Sequence, residues 1–114
     1  MLDLWLTALL TLNTPDHPKA VSPTTVRTQI ERRAIADYGP AGWACLDRLT
    51  YRESRWELDA KNPHSSARGL FQMLRMPAGL TPLEQYERVR RYLDRRYNGS
   101  PCDALESSLR RGWY

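Results

Sequence analysis

Histidine is scarce in this chain. His17 and His64 are its only two, they lie far apart, and neither belongs to a His/Cys cluster with ligand spacing, so no metal and no cofactor are expected. Long hydrophobic runs are missing too. The apolar stretch Leu4 to Leu12 is too short to cross a bilayer. No Lys or Arg precedes it, Asp3 interrupts its start and no small-x-small cleavage pattern follows, so neither a convincing signal peptide nor stable membrane insertion is expected. Internal repeats and low-complexity tracts are absent. Cysteine is limited to Cys45 and Cys102, which leaves room for one disulfide or for two buried thiols.

What is present describes one soluble folded unit. A chain of 114 residues makes a single domain with one modest core. Apolar residues make up 41%, with four Trp and six Tyr, which separates it from a disordered chain, and the 26% charged residues keep it soluble. The net charge of +4, carried almost wholly by arginine, suits an anionic partner such as nucleic acid, a membrane surface or an acidic cell-wall polymer. An ordinary solvated surface accounts for a charge of this size equally well.

The punctuation of the sequence separates residues 1–23, read as an N-terminal arm and linker, from a domain over 24–114. The apolar segment at 4–12 reads as a short helix or extended arm docked on the body or on a partner, and Pro15, Pro18 and Pro23 mark the linker. After it, Val26, Ile30, Ala34 and Ile35 share one side of a helix over 24–38 that Gly39-Pro40 ends. A second stripe from Gly42 runs through Cys45, Leu46, Leu49 and Trp56. Thr81-Pro82-Leu83-Glu84 has the form of a capping box, with Tyr86, Val89, Leu93 and Tyr97 as the inner stripe and five arginines on the other face, up to Asn98-Gly99. Ser100-Pro101 opens a last helix with Cys102, Leu105 and Leu109 inward and Gly112 as its end. Between 57 and 80 the helical period disappears, which reads as an irregular loop, with any short strand or hairpin near Leu70 to Leu74.

One residue breaks the pattern. Glu53 falls on the apolar stripe, four residues after Leu49 and three before Trp56, so its carboxyl leaves the helix on the core side. Lost hydration there favours the neutral carboxyl, the state a general acid needs. A structural Glu paired with Arg52 or Arg55, or one reaching out to water, fits the position as well.

The stretch Tyr51-Arg52-Glu53-Ser54-Arg55-Trp56, followed by Ala60, Asn62 and Ser65-Ser66-Ala67-Arg68-Gly69-Leu70-Phe71-Gln72, resembles the soluble lytic transglycosylases, in which Glu-Ser precedes a Gly-Ala-x-Gly-Leu-Met-Gln segment. Cys45-Leu46-Asp47-Arg48-Leu49, Arg96 to Cys102 and Gly112-Trp113-Tyr114 are similar to pieces of the small actinobacterial and phage versions of that lysozyme-like domain. The resemblance runs in order over about 24–114.

It implies a mainly α fold of the α+β lysozyme-like kind and cleavage of the bond between N-acetylmuramic acid and N-acetylglucosamine in peptidoglycan glycan strands. A single acid suffices in that family: it protonates the leaving oxygen, then as carboxylate assists attack by the muramic acid C6 hydroxyl, giving a 1,6-anhydro product. This differs from the two-carboxylate scheme of most glycosidases. The resemblance makes Glu53 the acid/base, Ser54 the neighbour that helps hold its carboxyl and Gln72 a cleft-lining residue. Gly69 would let the backbone approach sugar, and Asn62 and Ser66 are candidate polar contacts. Trp113 and Tyr114 are candidates for stacking on sugar faces, with core packing as their plainer use. The resemblance also favours a Cys45–Cys102 disulfide, and with it an extracellular, cell-wall-acting or virion location.

The late helix departs from the family, since Ala104 to Leu109 carries neither the tyrosine nor the histidine found there, and residues 73–82 are short. Two further readings follow. One is a non-catalytic virion or wall-binding module on the same fold, with virion or tail proteins as partners of the arm. The other, a nucleic-acid binder using the arginine face of the helix from Pro82, is the weakest, and nucleic acid is not the expected partner.

Overall fold

A computed structural model of the chain describes residues 21–114, so the expected arm and most of the linker lie outside the described residues. Three helices, α1 (Pro23–Ser54), α2 (Pro82–Tyr97) and α3 (Pro101–Arg111), make up 63% of that span, and it holds no strand. The fold is mainly helical, as expected.

Each helix starts on a cap written in the sequence. Ser22, Thr81 and Ser100 sit in extended conformation, their side chains accept from Thr25 N, Glu84 N and Asp103 N, and a proline follows each. Thr81 and Glu84 complete the reciprocal capping box. The C-terminal ends are left-handed turns at Arg55, Asn98 and Gly112. The expected break at Gly39-Pro40 is a kink inside α1: Gly39 leaves helical geometry at φ 77° and ψ 172°, and the helix resumes from Pro40. Proline lacks an N–H and pushes its predecessor out of the α region, and glycine tolerates the resulting positive φ.

The core is the meeting of the three inner stripes. Val26, Ile30, Ala34, Leu46 and Leu49 of α1 lie with Tyr86, Val89 and Leu93 of α2 and Ala104 and Leu105 of α3, joined by Trp56, Leu70 and Phe71 from the loop. Two stripe residues differ from expectation. Ile35 is 36% exposed and Leu109 is 45% exposed. In α3 the inward positions go to Ser107 and Ser108, whose groups bond Trp113 O and Arg52, so that face turns in and Leu109 turns out. Cys45 and Cys102 form the disulfide that ties α1 to the first turn of α3.

Residues 57–80 form the irregular segment. Its pairing is limited to isolated bridges, Lys61 with Arg68 and Arg68 with Met73, so the suggested hairpin is present only as single bridge pairs. Gln85 of α2 anchors the segment from beneath, accepting from Leu70 N at 2.8 Å and donating to Leu58 O.

Candidate active site

Glu53 lies in the last turn of α1, where the helix gives way to left-handed residues Arg55 and Trp56. Its carboxyl is half-buried, and lost hydration pushes it above the ordinary carboxylate range, opposed by the nearby Arg52 charge. Among the described residues no ion pair reaches it. Arg52 instead donates to Ser108 Oγ at 3.1 Å and to Ser108 O at 3.2 Å. Arg55 lies over the Tyr51 ring at 5.7 Å. The two arginines that the sequence offered as salt-bridge partners are thus engaged elsewhere.

Tyr114, in the C-terminal segment, lies within electrostatic reach of this carboxyl. Its phenol donates to Phe71 O at 2.5 Å, its ring meets Tyr92 edge-on at 5.7 Å, and Tyr92 in turn donates to the Tyr114 main-chain oxygen at 2.8 Å. Burial raises the Tyr114 phenol well above its usual value, and the Glu53 charge adds to the rise. A negative phenolate is disfavoured in a dry site facing a carboxylate, so Tyr114 stays a neutral donor. Tyr114 also lines a cleft of about 290 Å³ together with Gln72, Met73, Leu74, Tyr92 and Arg95. Tyr114 is what the two share: it lines the cleft and its phenol feels the Glu53 charge, while Glu53 itself is not among the residues that line the cleft.

The other expected residues are placed as follows. Gln72 lines the cleft, but its amide nitrogen donates to Ala60 O and Gly69 O, so that end of the side chain shapes the loop. Ser54 does not hold the carboxyl: its hydroxyl donates to Thr50 O and accepts from Trp56 N, both at 3.2 Å, finishing the helix. Gly69 has φ 91°, and a Cβ there would collide with the Gln85 amide oxygen. Its smallness serves packing on Gln85. Asn62 and Ser66 are exposed and share a shallow depression with Lys61, Arg68 and Arg75. Asn62 Oδ1 accepts from His64 N and Ser66 Oγ from Arg75 N, so both brace loop backbone. Trp113 is 48% exposed, outside the core.

The remaining acids nearby take other parts. Asp59 is exposed in the loop. Asp47 accepts a forked pair from Arg27 at 2.9 and 2.7 Å and a third bond from Trp56 Nε1 at 2.9 Å. The Arg27 guanidinium holds its carboxyl below the ordinary range, the opposite direction to Glu53. Asp47, Arg27 and Trp56 border a larger open depression of about 440 Å³ that includes neither Glu53 nor Tyr114. Sequence reading missed this triad, as it missed Gln85; Asp47 carries no local sign of a partner twenty positions away.

No group of His, Cys, Asp or Glu suited to a metal occurs among the described residues, and none of their helices is long and apolar enough to cross a membrane. No family model, curated protein or solved structure matches the chain.

Proposed function

We propose that the chain cleaves peptidoglycan glycan strands between N-acetylmuramic acid and N-acetylglucosamine, as a lytic transglycosylase of lysozyme-like type acting at the cell wall, with Glu53 as the acid/base. The observation that carries the reading is the state of Glu53: a half-buried, desolvated carboxyl without an ion-pair partner among the described residues, within electrostatic reach of the neutral Tyr114 phenol that lines a cleft.

In this reading Glu53 gives its proton to the leaving glycosidic oxygen as the bond from C1 breaks. The resulting carboxylate then takes the proton of the C6 hydroxyl while that oxygen bonds to C1, and the acid is restored. Desolvation serves the first step by favouring the protonated carboxyl, and Arg52 limits the cost of the carboxylate in the second. The test is the loss of turbidity of suspended purified walls. The unmutated chain clears them, and Glu53→Gln lowers the rate by at least about a hundredfold. Equal clearing by both chains refutes the assignment.

A second reading, a wall-binding or virion module without catalysis, is favoured by the ties of Ser54 and Gln72 to main chain. It predicts that both chains bind walls alike and clear none.

A further inference from the structure

Beside the candidate cleft lies a trough whose charge is of one sign. Arg95, Arg96 and Arg111 line it with Tyr92 and Tyr97, and no acid borders it. None of these three arginines has an ion pair among the described residues, whereas Arg27, Arg33 and Arg90 elsewhere in the domain all do. Three guanidiniums drawn together without a carboxylate repel one another, and something must hold them. Trp113 does so. Its ring lies 4.5 Å from the Arg111 guanidinium carbon and 5.7 Å from that of Arg96, so one indole gathers a charge from α3 and one from α2. Trp113 is in turn fixed through its own carbonyl, which accepts from Ser107 Oγ at 2.8 Å. The cations are therefore ordered before any anion arrives, which lowers the entropic cost of binding one. Arg95 and Tyr92 belong to both the trough and the cleft, so the two form one continuous surface.

We propose that Arg96 and Arg111, clasped by Trp113, form an anion subsite that receives phosphodiester groups of an acidic polymer attached to the wall glycan. The choice of a wall polymer over nucleic acid rests on the glycan-cleaving reading of Glu53, because the trough opens into that cleft. Planar guanidinium forks match phosphate oxygens, and a polymer with repeated phosphates engages both. The subsite thus fixes the enzyme on phosphate-bearing strands while the cleft accepts the adjoining sugars.

The experiment uses the full chain in Glu53→Gln form, so that binding is read whether or not Glu53 cleaves anything. Cosedimentation is measured with purified walls, with the same walls after their phosphodiester polymer is stripped by hydrofluoric acid, with soluble poly(glycerol phosphate), and with duplex DNA at equal phosphate. The expected result is binding to intact walls and to poly(glycerol phosphate), weakened about tenfold by stripping and equally by Arg96→Ala/Arg111→Ala, with the log–log salt slope reduced by between one and two as about two phosphate contacts are lost. The double variant keeps the circular-dichroism spectrum and unfolding midpoint of the single Glu53→Gln chain, which shows that the fold survives. Unchanged binding after stripping, or in the double variant, overturns the subsite. DNA bound as tightly as poly(glycerol phosphate) overturns the wall-polymer assignment in favour of nucleic acid.

Discussion

Reducing the bond between Cys45 and Cys102 perturbs the domain at the helix that carries Glu53, and its effect can be worked out from the separation of 57 positions. Closing a loop of that length removes about 14 cal/mol/K from the unfolded chain, about 4 kcal/mol at 25 °C. A domain of this size is stable by only about 5–14 kcal/mol, so the bond represents between about 30% and about 80% of the total. At about 4–8 °C per kcal/mol the midpoint of unfolding should fall by about 15–30 °C. Both cysteines are partly exposed, so a reductant can approach the bond. The assay is thermal unfolding followed by circular dichroism with and without a phosphine reductant, alongside Cys45→Ser/Cys102→Ser. Coincident losses in that range support the reasoning. A fall below about 5 °C, with both thiols shown to be free, would refute it, because unfolded-chain entropy would then not be the main contribution.

Glu53→Gln should be more stable than the unmutated chain at about pH 8 and show no advantage at about pH 4. The folded carboxyl holds its proton more tightly than the unfolded one, so the stability it lends is present in acid and lost as pH rises through the raised value; thermal melts at the two pH values check this. Asp47→Ala removes the acceptor shared by Arg27 and the buried Trp56 indole, and should cost about 1–3 kcal/mol at neutral pH in urea unfolding. Its sign is opposite: the Asp47 contribution is present above the unfolded value of 3.8 and lost as pH falls through the lowered folded value, so the deficit should close in acid. Gly69→Ala forces a positive φ on alanine and pushes Gln85 off Leu70 N, at about 2–4 kcal/mol by urea unfolding; a cost under 1 kcal/mol refutes the packing account of that glycine.

Where structure depends on neighbours in the chain, it was legible in the sequence. Ser100-Pro101, Thr81 with Glu84, Asn98 and Gly112 all set helix ends through contacts within five residues. Gly39-Pro40 announced an interruption, and the helix on either side shows as one kinked element because only one residue leaves helical geometry. Glu53 stood out since an acid on an apolar stripe is a local contradiction. Contacts across the fold left no such trace. Arg52 binding Ser108, Asp47 binding Arg27, and Gln85 reaching under the loop each join positions fifteen or more apart. The stripe rule placed Ile35 and Leu109 inside because it counts apolar side chains and not the inward serines of α3. Trp113 and Tyr114, adjacent in sequence, part company for a similar reason: the phenol finds Phe71 O inside, while the indole finds two guanidiniums at the surface.

The proposed role of Glu53 is to break wall glycan as its sole acid/base. Its most direct test is mass spectrometry of the soluble muropeptides released from purified peptidoglycan by the unmutated chain and by Glu53→Gln, each verified as folded. The account predicts products one water lighter than hydrolytic ones, made by the unmutated chain alone. Reducing-end products at full mass would contradict the anhydro route, and no release from any of several wall types would contradict cleavage itself.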